Sequence, residues 1–278
     1  MLMKEINKGE NLHMKNDIIH LPIFGPQHRG VPNEIIENYE KLYEVVKETF
    51  PSKQFSRFFP MVGNSYDDAN IRLMLVGRSP NGWTELNEIS AEEFAMAAAR
   101  EMLSFGFEWL ENNGTATKPY TDENGIEKVY NINKSSFFRC TRKIINRLIP
   151  ERASWERWFE NIIWTNLYTI APLHRGNAEG KLQDVQLDIR KKLLVQHIDF
   201  YKPTHIIFVT DWDWWFERFA DDFPNVYKIG DSKNDNVIGC GKFKNSRVVV
   251  TVRPDRTKPN KPNEEEFAND VYKLLLSK

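Results

Sequence analysis

The chain has 278 residues, 41% of them hydrophobic and 28% charged, with a formal net charge of −1, the composition of an ordinary globular protein with ample material for a core. So small a net charge exerts no global pull on nucleic acid, and any such contact must come from a local basic patch. Two cysteines, Cys140 and Cys240, supply neither a disulfide framework nor a four-thiolate cluster. No apolar run approaches the ~20 residues of a membrane span, and Lys4, Glu5, Lys8, Glu10 and Lys15 stand where a signal peptide would be apolar, so the expectation is a cytoplasmic protein with no membrane contact.

In chain order, residues 1–32 carry Pro22, Gly25, Pro26 and Gly30 without sustained periodicity and read as an arm lying over the domain. Pro32 opens a helix to Phe50, with Ile35, Ile36, Tyr39, Leu42, Tyr43 and Val46 at helical spacing. Residues 1–60 are thus expected to pack, as arm and helix, on an α/β domain over 61–278. Phe55, Phe58 and Phe59 lie among Lys53 and Arg57. Such a mixture can stack on and neutralise a nucleic-acid strand, but aromatics just before a core strand more often belong to the core.

The apolar run 71–76, IRLMLV, predicts a buried parallel strand that Gly77 ends. Pro80 and Gly82 then shape a loop, Gly77-Arg78-Ser79-Pro80-Asn81-Gly82, of the kind that holds ligands at the carboxyl ends of parallel strands. Ser90 with Glu93 is a capping box for a helix running to about Asn112, with Met102, Phe105 and Trp109 on its core side. Residues 113–131 form a polar insertion or a β-hairpin. A helix over 134–148 is basic on one face through Arg139, Arg142, Lys143 and Arg147, which a solvated face would explain. Residues 161–170, NIIWTNLYTI, give the second strand. A loop containing His174, Arg175, Gly176, Asn177 and Gly180 leads to a helix over 182–201.

The third strand, 204–210, is followed by Asp211 and an aromatic helix start with Trp212, Trp214 and Trp215, which more often serve helix packing than a base platform. The fourth strand, 247–252, gives way to a proline-rich basic loop with Arg253, Arg256, Lys258 and Lys261, and a helix over 263–276 closes the chain. Strands alternating with helices predict a three-layer αβα sandwich around a central, mainly parallel four-stranded sheet whose carboxyl ends share one cleft. Asp211 ends the third strand and is either a cleft residue or a helix cap. Of the six histidines only His174 is placed near the pocket, and none has metal-ligand spacing, so no metal and no cofactor are expected.

Four short motifs occur in order: Gly77-Arg78-Ser79-Pro80, Thr165-Asn166 with Ala171-Pro172 after it, Tyr201-Lys202-Pro203-Thr204, and Arg253-Pro254-Asp255. Together they resemble the uracil-DNA glycosylase superfamily over residues 71–276, nearest in pattern to its four-cysteine branch but without the cluster cysteines. The resemblance implies a base-recognising, DNA-binding hydrolase of DNA repair that excises a base by hydrolysing its N-glycosidic bond. It implies that Asn166 reads an amide edge of the base, that Phe138 or Phe137 stacks on it unless both belong to the core, and that Gly77, Arg78 and Asn81 line the pocket. Arg253 stands where the family has a histidine that donates to the base carbonyl, and an arginine keeps that donor. Ser79 stands where the family places a residue that positions or activates water. A serine is a poor base unless another group takes its proton, and Arg78 cannot be one. The alternative is therefore a non-catalytic protein that retains the pocket, its partner a nucleic acid or a nucleobase-containing small molecule.

Overall fold

The computed structural model describes residues 30–80, 82–86, 88–104, 106–107, 117–121, 126–150, 158–173, 176–254 and 263–276. The arm over 1–29, Phe105, Trp109 and the basic loop over 255–262 lie outside them.

Taken along the chain, α1 (Asn33–Thr49) precedes β1 (Phe55–Arg57), β2 (Met61–Val62), β3 (Leu73–Gly77) and β4 (Thr84–Leu86). Then come α2 (Ala91–Leu103), the strands β5 (Thr117–Thr121) and β6 (Glu127–Asn131), and α3 (Ser136–Leu148). They are followed by β7 (Ile162–Asn166), β8 (Ile170–Pro172), α4 (Lys181–Tyr201) and β9 (His205–Val209). The chain finishes with β10 (Val226–Lys228), β11 (Val237–Phe243), β12 (Ser246–Thr251) and α5 (Glu264–Leu276).

The expected sandwich around a mainly parallel four-stranded sheet is corrected by this arrangement. The main sheet has seven strands in the order β10-β11-β12-β9-β3-β7-β2, and a second, antiparallel sheet has the order β4-β1-β8. The main sheet is mixed: β12, β9, β3 and β7 run parallel to their neighbours in that series, whereas β10, β11 and β2 pair antiparallel. The outer strands are hard to read because β2 and β10 are short and β11 contains Gly239 and Gly241, which weaken a strand pattern. The run expected as one strand over 161–170 is divided between the two sheets. At its break the N–H groups of Leu167 and Tyr168 donate to the carbonyls of Gly77 and Arg78, at 2.8 and 3.0 Å, and the chain re-emerges as β8 paired with β1.

Every residue of β3 and β7 is buried. Because successive strand side chains point to opposite faces, both faces of the sheet centre must be covered. The covering helices form two groups, α1 with α2 and α4, and α3 with α5. α1 buries Ile35, Ile36, Tyr39, Leu42, Tyr43 and Val46, the apolar stripe its spacing predicts. α2 begins at the predicted capping box, with Glu93 N–H donating to Ser90 Oγ and Ser90 N–H to Glu93 Oε2. It ends at Leu103, where Ser104 turns extended, well before Asn112. Among the described residues no helix is long and apolar enough to cross a membrane.

The basic face of α3 is ion-paired with the acidic start of α5. Arg139 donates to Glu264 through Nε and Nη2, at 2.8 and 2.6 Å, and Lys143 and Arg147 converge on Glu265.

Candidate functional site

Parallel pairing brings the carboxyl ends of β7, β3, β9 and β12 to one edge of the sheet. There Gly77 lies beside Asn166 in register. A Cβ on Gly77 would sit 2.3 Å from Asn166 Oδ1, so only glycine leaves room for this carboxamide. Asn166 is 4% exposed, and its carboxamide lies against Gly77. Trp164, two residues earlier, projects on the same face. Its Nε1 also borders the space over Gly77, 3.6 Å from the position of that Cβ, and is buried without a partner among the described residues. Phe58, Trp83, Phe137 and Phe138 surround the indole, with ring centroids at 4.5, 5.0, 5.6 and 5.0 Å. Phe138 is buried between Trp164 and Trp158, whereas Phe137 is half-buried.

The main chain of this corner is clamped from α4. Arg190 donates from Nη2 to the Asn166 carbonyl at 2.8 Å and from Nε to the Leu167 carbonyl at 2.9 Å. Gln186 exchanges hydrogen bonds with both main-chain groups of Ile170, at 3.0 and 2.9 Å. Neither residue is among those the sequence singles out. The available signal is their recurrence with Gln183 and His197 on the buried side of α4. Burial pushes the pKa of Arg190 down from its ordinary value, but an arginine keeps its charge in proteins.

The remaining strand ends are tied together by ions. Arg78 donates from Nε to the Thr210 carbonyl at 2.9 Å, forms an ion pair with Asp211, and lies 4.8 Å over the ring of Trp215. Asp211 adopts a left-handed backbone, φ 66°. Its N–H donates to the Thr251 carbonyl at 3.0 Å, and its Oδ1 accepts from the Arg253 N–H at 3.3 Å. Ser79 donates to Asn177 Oδ1 at 3.3 Å and accepts from the Ala178 N–H at 3.1 Å, fastening its loop to the segment before α4. Arg253 is exposed. Asn81, His174 and Arg175 lie outside the described residues.

The structure therefore brings Gly77 and Asn166 together, joins Arg78, Asp211 and the main chain of Arg253 in one network, and places Ser79 on the loop that leaves Gly77. The corner offers a carboxamide with a donor and an acceptor, an indole donor, and a cation beyond Asp211. The Ser79 hydroxyl and the Asp211 carboxylate are both engaged within the protein. No family model and no curated protein sequence matches this chain.

Proposed function

We propose that the chain is a uracil-DNA glycosylase-like protein that recognises a nucleobase at the carboxyl ends of β3 and β7. The observation that carries this reading is the Asn166 carboxamide, set against Gly77 on a residue only 4% exposed, with the Trp164 Nε1, buried without a partner among the described residues, beside it. Leaving a buried donor such as that indole N–H unpaired costs about 1–3 kcal/mol, and a base edge with one donor and one acceptor would complement the carboxamide. The order of the four motifs supports the same reading.

Excision would require a donor at the base carbonyl as negative charge develops and a positioned water at the sugar. Arg253 supplies the first. The second lacks a base: the Ser79 hydroxyl is held by Asn177 and Ala178, and Arg78 neutralises Asp211. Recognition of a base, in nucleic acid or in a small molecule, is accordingly the main activity, and hydrolysis of the N-glycosidic bond is slow or absent. We place this activity in the cytoplasm, in DNA repair, where Cys140 and Cys240 remain free thiols.

The test is titration with deoxyuridine and with uracil-containing single- and double-stranded DNA, alongside an excision assay. The wild type should bind, and Asn166→Ala should weaken binding by about 1–3 kcal/mol. Excision should fall short of an ordinary glycosylase by about 10² to 10⁴-fold, the usual worth of general-base help, and Ser79→Asp should raise it. Excision at ordinary rates by the wild type would overturn the assignment of slow chemistry; absence of binding to every probe would overturn the base pocket.

A further inference from the structure

We infer that Trp214 is a stacking platform for an unpaired base of a nucleic-acid strand whose neighbouring base enters the cleft, an inference that rests on the nucleobase reading of that cleft. Trp214 is 81% exposed, the most exposed of the large apolar side chains among the described residues. It belongs to the turn that leaves β9, and that turn is fixed on both sides. Asp211 ties its start to Arg78 and to the Arg253 main chain. Trp212 is buried against Phe216, with ring centroids 4.9 Å apart, and Trp215 is buried against Tyr168 at 6.1 Å and under the Arg78 guanidinium. Main-chain bonds from Glu217 N–H to the Trp212 carbonyl at 2.9 Å and from Phe216 N–H to the Asp211 carbonyl at 3.3 Å close the turn. Of its three tryptophans, two are anchors and Trp214 alone is turned outward.

The backbone at Trp214 makes the choice of residue informative. Its φ is 69°, a left-handed conformation that bulky side chains rarely adopt and that glycine or asparagine would take with less strain. An indole here hides little surface from water and makes the local backbone harder to form, so the fold gains nothing from it. Strain of this kind concentrates at functional positions. What the residue does provide is a broad aromatic face on a fixed turn that leaves β9, the strand paired parallel with β3. Lys228 pairs with the adjoining Asp213 at 2.7 Å, which neutralises the carboxylate next to the ring. Across Asp211, the exposed Arg253 offers a cation to a phosphate. An aromatic plane and a cation on the segments that leave the adjacent parallel strands β9 and β12 fit a single strand, in which a base stacks while the backbone meets the positive charge.

The experiment titrates the protein with two probes, a labelled single-stranded oligodeoxynucleotide containing one uracil and the nucleoside deoxyuridine. Trp214→Ala should weaken oligonucleotide binding about tenfold and leave deoxyuridine binding unchanged, while Trp214→Phe should retain binding to within roughly threefold of the wild type. Adding the oligonucleotide should quench tryptophan fluorescence in the wild type, and that part of the quenching should be missing in Trp214→Phe. If Trp214→Ala binds the oligonucleotide as tightly as the wild type, the inference is overturned while the base pocket stands, and the ring is left to a protein partner. If the wild type binds neither probe, the pocket and the platform both fall.

Discussion

Gly77 sets the tightest steric condition in the cleft, because the space its side chain would fill is occupied by Asn166 Oδ1 and bordered by Trp164 Nε1. Gly77→Ala should displace the carboxamide, costing about 1–3 kcal/mol of stability through overpacking and lowering deoxyuridine affinity at least about tenfold. A urea melt together with a binding titration checks both, and unchanged binding would show that the carboxamide does not need its present position. Arg190 acts on the same corner from behind. Arg190→Met keeps much of the apolar volume but leaves the Asn166 and Leu167 carbonyls without their donors, a loss of about 2–4 kcal/mol; a loss below about 1 kcal/mol would mean that water replaces the guanidinium. The two residues differ in legibility. Asn166 is readable only through the Thr165-Asn166 motif of the resemblance, because the run over 161–170 gives no sign that the strand stops there, whereas a lone arginine within a helix reads as solvent-facing until its neighbours on that face are seen to be buried.

The pairing of α3 with α5 changes the reading of the basic helix. Hydrogen bonds from Arg147 and then Lys143 hold the Glu265 carboxyl down at about 2. Such exposed pairs contribute at most about 1 kcal/mol each. Because this carboxyl titrates lower in the folded state, its contribution is present above the ordinary value of 4.5 and fades as pH falls toward 2. With Arg139, Lys143 and Arg147 paired to α5, α3 should add little to phosphate binding. Lys143→Ala should leave the salt dependence of oligonucleotide binding unchanged, whereas Lys258→Ala with Lys261→Ala should lower the log–log slope by roughly one unit for each phosphate no longer neutralised. Measuring affinity across a salt series decides it, and the reverse ranking would assign phosphate binding to α3. At this scale, legibility follows burial. The apolar runs of β3, β7, β9 and β12 announce themselves because strands covered on both faces need no polar alternation. β11 does not, since Gly239 and Gly241 serve close packing by neighbouring chain rather than apolar packing of their own, and the single run over 161–170 conceals the turn that sends β8 to another sheet.

Stability of the whole molecule should depend on pH through its enclosed histidines. His197 is fully buried, 3.0 Å through Nε2 from the Tyr39 hydroxyl, and burial, reinforced by the charge of Arg190, pushes its pKa well below the ordinary 6.5. His205 is shifted the same way by burial and by Arg247. For each, the unfolded chain takes the proton more readily than the folded one. Stability is therefore complete above about pH 6.5 and is lost as pH falls below it, at up to about 1.4 kcal/mol per pH unit for each group. Urea denaturation at about pH 7 and about pH 5 should show that fall, and His197→Gln should flatten it; a level profile in the wild type would mean that these rings do not govern acid stability. The same long-range connection runs in the mechanical direction through Gly239, on the outer hairpin of the main sheet. A Cβ there would meet the Trp212 ring at 2.5 Å, and Trp212 roots the turn whose Asp211 holds Arg78 and the start of the last loop. The hairpin is thus a doorstop for the rim: through Gly239 it fixes how deeply Trp212, and with it the turn, can settle against the sheet.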